Sequence, residues 1–498
     1  TANVLVLYRE NNAEVADALA DQLIEYGAQI KTTTFSQARE EGMADDPSFS
    51  HLIAVLPRID ISSPSASEYL KEAIMQISSL TAVASAALAP RLRTTLAFVT
   101  FGGGYFGMNG RFANIIRCCG RAVGATLHLE RTDLRVRVID FSTAIEPVKI
   151  AQTVLAEIHT PSPFATAGYD FKMNRRTMQP VLSQPKNYPP RSIKWSQKDV
   201  LLVTGGAKGI TSACALAAAK VTGVRTALMG RSLHPDDRPE HPNSKEIIKK
   251  LKDYTNHGLV AQYFSCDVTD TSAVRKTIEA IQTQLGPITG VIHGAGLNIP
   301  RLACQVSSEK AYEEVAPKVL GLLHLYETLA KAPPKLIVGL SSIIAYTGMP
   351  GNAWYGFSNE ALEVLLQRFA NDHPQTQTMA VAYSIWGQEG MGARMGSVTH
   401  LAKMGIQAID TQKGVERFGQ LFLNKPSSPS VVITSRLGGL DTWHHPSSPK
   451  ELQQRFLSTP ISILPGIESI FKTHLNLSVD TYLKDHQFQG SYLFPTVF

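Results

Sequence analysis

No part of the chain approaches the roughly 18 consecutive apolar residues that a spanning helix needs, so no membrane segment is expected. Cysteine is scarce, with five residues: Cys118, Cys119, Cys214, Cys266 and Cys304. None stands in Cys-x-x-Cys or Cys/His spacing, which speaks against a zinc site, any other metal centre or a disulfide framework. Vicinal Cys118 and Cys119 lie in a helix-like run, Phe112–Leu129, and read as core thiols. Thiols so few and unpaired suit a reducing, cytoplasmic setting. Long runs of like charge are also missing. The net charge of +6 is dispersed, so a nucleic-acid partner is not expected, although a basic rim can meet an acidic partner. No initiator methionine precedes Thr1, and the chain stops abruptly at Phe498; both ends read as cuts from a longer polypeptide.

What is present is a soluble globular composition, 44% hydrophobic and 18% charged, in 498 residues, more than one core can absorb. Residues 1–157 alternate apolar strand-like runs (Val4–Tyr8, Leu52–Leu56, Thr95–Thr100, Leu134–Phe141) with helical stretches such as Val15–Tyr26. That alternation predicts a βα-repeating, Rossmann-like half with a parallel sheet. Its glycine stretch, Phe101–Tyr105, follows a strand but lacks dinucleotide-loop spacing, and it is read as a turn. Residues 158–198, rich in proline and polar residues, read as a linker. A second β/α alternation occupies 199–437. Residues 438–475 read as a connector, and something new starts at 476.

The second half carries the recognisable chemistry. The apolar strand Val200–Thr204 leads into Gly205-Gly206-Ala207-Lys208-Gly209-Ile210 and a small-residue helix. Strand, glycine turn and helix in that order suit a pyrophosphate: the backbone can approach closely, and the helix N-terminus offers free amides and a positive dipole end. Thr211 replaces the third glycine. The next strand ends in Gly230-Arg231-Ser232, where an NAD enzyme usually puts an acid. A guanidinium there pairs with a 2′-phosphate, so the cofactor read is NADPH, with Arg231 and Ser232 at the ribose. Asp267 and Val268 follow another strand and can face the adenine; a turn or cap role for Asp267 is the competing reading. His293-Gly294-Ala295-Gly296 ends a further strand and lets the backbone pass the ribose. His293 is given no proton chemistry.

Carbonyl reduction needs a hydride donor, a proton donor and stabilisation of a developing oxyanion. Tyr355 is the candidate acid, and Ser342, after the strand Leu336–Leu340, the hydrogen-bond donor to the carbonyl. Lys318, in the helix-like run Glu313–Leu329, is the cation expected to draw the Tyr355 phenol down. Asn359, at i+4 from Tyr355, can hold a water or orient Lys318. Singly, each has an ordinary structural reading: core aromatic, strand cap, solvated lysine, exposed amide. Their joint spacing beside a separate cofactor loop favours chemistry. A pliable glycine-rich stretch, Trp386–Gly396, is the expected substrate lid.

With these motifs in place, residues 199–437 resemble the ketoreductase domain of polyketide synthases, a branch of the short-chain dehydrogenases. Most short-chain dehydrogenases have Tyr-x-x-x-Lys. Here the helix reads Tyr355-Gly356-Phe357-Ser358-Asn359, and the lysine stands in Ala316-Pro317-Lys318-Val319-Leu320-Gly321, as in the synthase ketoreductases. The resemblance implies an α/β fold of two Rossmann-like, doubly wound parallel-sheet subdomains. The first, 1–157, would be structural and would bind no cofactor; Thr126–Val136 is similar to its family segment. The second would be catalytic and bind NADPH. The Leu-Asp-Asp mark of one stereochemical class is absent at Leu297-Asn298-Ile299-Pro300-Arg301. Thr347 stands where the other class has Trp. Asp485–Pro495 resembles the His-x-x-x-Gly-x-x-x-x-Pro start of a hot-dog dehydratase, with His486 as its base. Ketoreductase before dehydratase is the order of iterative enediyne polyketide synthases and polyunsaturated-fatty-acid synthases. It implies, as substrate, a β-ketoacyl chain linked through phosphopantetheine to an acyl carrier protein. Ketosynthase, acyltransferase and dehydratase domains would be its neighbours. A stand-alone reductase of small ketones and a non-catalytic cofactor-binding scaffold are the competing functions.

Overall fold

The computed structural model describes residues 2–40, 49–59, 65–86, 88, 94–387, 397–403, 405–437, 440, 442–443, 459–464, 468–478, 480–485, 487–488 and 491–492. In the first half, seven strands form one sheet: β1 (Asn3–Tyr8), β2 (Gln29–Thr34), β3 (His51–Val55), β4 (Thr94–Thr100), β5 (Leu134–Phe141), β6 (Phe164–Tyr169) and β7 (Arg175–Arg176). Their order is β2-β1-β3-β4-β5-β6-β7, parallel throughout except for β7. The helices are α1 (Ala13–Glu25), α2 (Phe35–Glu40), α3 (Ala66–Ala86), α4 (Ile115–Cys118), α5 (Arg121–Glu130) and α6 (Pro147–Ile158).

The second half repeats the plan with β8 (Val200–Thr204), β9 (Arg225–Gly230), β10 (Ala261–Ser265), β11 (Ile288–His293), β12 (Leu336–Ser342), β13 (Gln377–Tyr383) and β14 (Ser430–Ile433). The order β10-β9-β8-β11-β12-β13-β14 places the crossover between β8 and β11, the point where α/β sheets open a ligand crevice. Its helices are α7 (Gly209–Thr222), α8 (Pro242–Thr255), α9 (Thr271–Leu285), α10 (Ser308–Leu329), α11 (Ile344–Thr347), α12 (Ala353–Asp372), α13 (Ser397–Lys403) and α14 (Thr411–Leu423).

Side-chain alternation divides each sheet between two cores. Val4 and Val6 of β1 pack with α1 and α6, whereas Leu5 and Leu7 face the other way. In the second sheet Leu201 and Val203 pack against α7 and α14, and Val200 and Leu202 turn inward. The inward faces of both sheets belong to one continuous core, with α3 against α10 and α5 against α12 sandwiched between them. Strands covered on both faces are therefore apolar runs, which is why periodicity exposed them.

The structure amends several expectations. The helical run 112–129 is broken: Cys119 is extended, and Gly120 packs its backbone against Phe98. Cys118 and Cys119 are nonetheless buried, and both are free thiols. The stretch 158–198, read as linker, supplies β6 and β7 to the first sheet. The helix read from Glu313 starts earlier, capped by Ser307, and continues through Pro317. Beyond 437 the described residues give two short antiparallel pairs, Thr459–Leu464 with Glu468–Lys472 and Gln487–Phe488 with Ser491–Tyr492. His486 lies outside the described residues, as do 388–396 of the expected lid. Among the described residues no helix is long and apolar enough to cross a membrane.

Candidate functional site

The glycine loop sits where the sequence placed it, between β8 and the N-terminus of α7. Gly205 turns with a positive φ beside the Gly294–Ala295 backbone, so the loop after β8 and the loop after β11 lie together. Thr211 takes up the close packing of the missing glycine: a Cβ on Gly294 would fall 2.3 Å from its hydroxyl. Not every residue of the loop offers its side chain to a ligand. The Thr204 hydroxyl bonds His293 Nδ1 at 2.7 Å. The Lys208 ammonium turns to Asn243 and Glu246 on α8. Ala207 is buried and Ile210 is partly buried against the outer core, so backbone is what these positions present.

At the end of β9, Arg231 is exposed and makes no hydrogen bond or ion pair among the described residues. The carbonyls of Gly230 and Ser232 are held by the Tyr263 hydroxyl at 2.9 and 2.8 Å. Asp267 keeps its turn role: Oδ1 accepts from the Thr269 amide and hydroxyl at 2.9 and 2.7 Å. The Val268 carbonyl is bonded by His324. An unpaired cation beside a glycine loop at a helix N-terminus fits the phosphates of a dinucleotide.

His293 does more than pack. Its Nε2 meets the Lys318 carbonyl at 2.8 Å, so a buried imidazole ties β8 to α10 at the position of the lysine. Burial depresses it to about 3, which keeps it neutral.

Lys318 is buried; its Cε lies under Gly296, and its ammonium donates to the Leu340 carbonyl at 2.7 Å. That carbonyl is two residues before Ser342 at the end of β12, so the lysine and serine reach the same strand end. Burial lowers Lys318 to about 8, and the Glu363 carboxylate works against the fall. Ser342 Oγ accepts from the Ile344 amide at 3.3 Å. Tyr355 stands in the first turn of α12, half-buried. Burial raises its phenol; the Ser342 and Asn359 side chains beside it pull it down, and Glu314 pushes it up. The lowering by Lys318 expected from the sequence is not seen: Lys318 is not among the groups that move the phenol, and desolvation dominates. Asn359 donates Nδ2 to the Tyr355 carbonyl at 2.8 Å, and its Oδ1 is buried with no protein partner, a position suited to holding a water.

Two supporting carboxylates were missed by sequence reasoning. Glu363, one turn beyond Asn359 on α12, accepts from Ser341 at 2.6 Å, from Ser430 at 2.9 Å and from the Tyr346 hydroxyl. Glu360 accepts from the Arg121 and Ala122 amides of α5. A charged residue at helical spacing on an otherwise apolar face was the available signal for Glu363.

Comparison with known proteins bears on the fold and on the second half of the chain. Residues 200–388 match the family model described as KR domain. The chain is 27% identical over 248 residues to polyketide synthase PksL of Bacillus subtilis, covering 48% of this chain and 5% of that protein. It is 24% identical over 419 residues to one subunit of the polyunsaturated fatty acid synthase of Thraustochytrium sp., covering 74% of this chain and 14% of that protein. The chain thus spans a small part of these curated relatives. Among solved structures, a ketoreductase domain from the bacillaene assembly line superposes with a TM-score of 0.60 at 22% identity, covering 87% of this chain and 92% of that one. A C2-type ketoreductase from a modular polyketide synthase gives 0.65 at 17%, covering 88% and 92%. The fold is the one seen in these ketoreductase structures: two Rossmann-like α/β subdomains. Within it, residues 200–388 are the stretch that matches the KR-domain model.

Proposed function

We propose that the chain reduces the β-keto group of an acyl chain carried on the phosphopantetheine of an acyl carrier protein, using NADPH. We further propose that it acts in the cytoplasm as part of an iterative synthase of the polyketide or polyunsaturated-fatty-acid kind. The observation that supports the reading is that Lys318 reaches the Leu340 carbonyl, two residues before Ser342, and that the Ser342 and Asn359 side chains stand beside Tyr355. The synthase type is supported by the match to the polyunsaturated fatty acid synthase, which runs through both halves of the chain.

NADPH, when bound, supplies the hydride. The Gly205–Gly209 loop and the α7 amides would hold its pyrophosphate, and exposed Arg231 its 2′-phosphate. Ser342 donates a hydrogen bond to the ketone oxygen. Tyr355, kept protonated by burial, delivers its proton to the oxygen as the alkoxide forms. Lys318, still largely cationic near neutrality, stabilises the phenolate left behind. Asn359 Oδ1 anchors a water for reprotonation.

The test is single-turnover oxidation of NADPH by a β-ketoacyl thioester on a carrier protein. Wild type should turn over, with NADPH effective at lower concentration than NADH. Tyr355→Phe should bind NADPH normally and lose ~10²–10⁴-fold in rate. A Phe variant as fast as wild type would remove Tyr355 as the acid. No reduction by wild type would leave the scaffold reading in its place.

A further inference from the structure

Helix α5 belongs to the first half, yet both of its ends are held by the second. At its N-terminus the Glu360 carboxylate accepts from the Arg121 and Ala122 amides at 3.2 and 3.0 Å. At its C-terminus the relation reverses: Glu130, on α5, accepts from two amides of the second half. Oε1 takes the Gly351 amide at 2.9 Å, and Oε2 takes the Ala303 amide at 3.1 Å.

These two amides come from different loops. Gly351 lies in the segment that enters α12 just before Tyr355. Ala303 closes the segment that leaves Gly296, beside Lys318, and passes Ile299 and Arg301. The loops also touch directly, the Arg301 amide donating to the Gly351 carbonyl at 2.8 Å. The Tyr355 loop rests on α5 along its course. The Met349 amide donates to Thr126 Oγ1 at 3.3 Å. Gly348, at φ +61°, lies so close that a Cβ would sit 2.6 Å from the Thr126 nitrogen.

We infer that Glu130 is a positioning residue for the reduction: one carboxylate of the cofactor-free half, with an oxygen on each loop, sets the spacing of the two segments that flank Tyr355. This rests on the reductase reading. The consequence is steric. One segment runs into Tyr355 and the other leaves Gly296 beside Lys318, and a misplacement of ~1 Å at a reacting centre can cost ~10²-fold in rate. Glu130 touches none of Gly205–Gly209 or Arg231, so cofactor binding should not depend on it.

Glu130→Gln and Glu130→Ala in the full chain test the idea. Gln keeps the shape but turns one acceptor into an NH2 donor facing an amide donor. For Glu130→Gln, kcat with a β-ketoacyl thioester should fall ~10-fold, and for Glu130→Ala ~10²-fold, with the NADPH dissociation constant unchanged in both. Hydrogen exchange at the Gly351 and Ala303 amides should quicken. If the Ala variant fails to fold, the Gln variant decides. A folded Glu130→Gln with wild-type kcat overturns the inference. So does an equal loss in turnover and in NADPH affinity, which marks Glu130 as general scaffolding. An inactive wild type sinks the reductase reading and this inference together; an active wild type with an unimpaired Gln variant sinks this inference alone.

Discussion

Lys318 is a cation taken out of water and given one carbonyl, that of Leu340, and one distant carboxylate, Glu363. Desolvation outweighs both and brings it to about 8. The phenol of Tyr355 is moved the other way by the same cause. The sign follows. Below about 8 Lys318 carries its charge, and the charge is lost as pH rises through that value, while Tyr355 still holds its proton. The thioester kcat/KM should therefore fall on the alkaline side near pH 8, and the limb should belong to the lysine. In Lys318→Ala the rate should be lower everywhere, and the limb should move upward to the titration of Tyr355. A wild-type profile flat to well above pH 8 would take Lys318 out of the reacting centre.

At the scale of elements, two glycine turns after strands have opposite fates. The one after β8 would, on the function proposed above, give its backbone to a dinucleotide. The one after β4 closes on a carboxylate of its own chain: Asp140, on β5, accepts from the Thr100 hydroxyl and the Gly104 and Phe106 amides at 2.7, 2.7 and 2.8 Å, and from the Gly102 amide. An acid at the centre of a ring of amides fills the place an anion would take. At this turn the Asp140 carboxylate would exclude a phosphate. Asp140→Asn would set an NH2 against two of these buried donors, at about 1–3 kcal/mol for each donor left unmatched. It should lower the melting temperature and leave NADPH titration unchanged; a changed cofactor affinity would contradict the assignment.

The two turns also mark what a sequence can disclose. Gly205–Gly209 between strand and helix, and Tyr355 with Asn359 at i+4, are local patterns, and they stood out. Asp140 lies 34 to 40 residues from the groups it binds, and Glu130 lies 173 and 221 residues from its two amides. No periodicity encodes such pairings. β6 was hidden for another reason: Phe164–Tyr169 is short, only partly apolar and set among prolines, so the sheet that recruits it decides its state.

The whole molecule is a pair of similar halves that do not keep separate cores. The inward faces of both sheets, with α3 and α5 from one half and α10 and α12 from the other, enclose a single apolar cluster running from Leu5 and Phe98 to Leu202 and Ile337. Buried charge also crosses the junction: Glu360 binds the α5 amides, and the Arg121 guanidinium lies over the Tyr346 ring with its Nε on the Ala345 carbonyl. Exposing one half would strand these groups without partners and open the shared core. Unfolding should therefore be one cooperative event. The chain offers a direct check, because all four tryptophans belong to the second half or pack on it: Trp354 and Trp386 lie within it, Trp195 stacks on Phe422 and Trp443 meets Tyr346. Tryptophan fluorescence follows that half and, through Trp354, the shared core, whereas far-UV circular dichroism follows the helices of both. The two melting curves should coincide. A dichroism transition that precedes the main fluorescence change would show the first half unfolding by itself. The positioning role of α5 would then have to survive without the rigidity that the common core supplies.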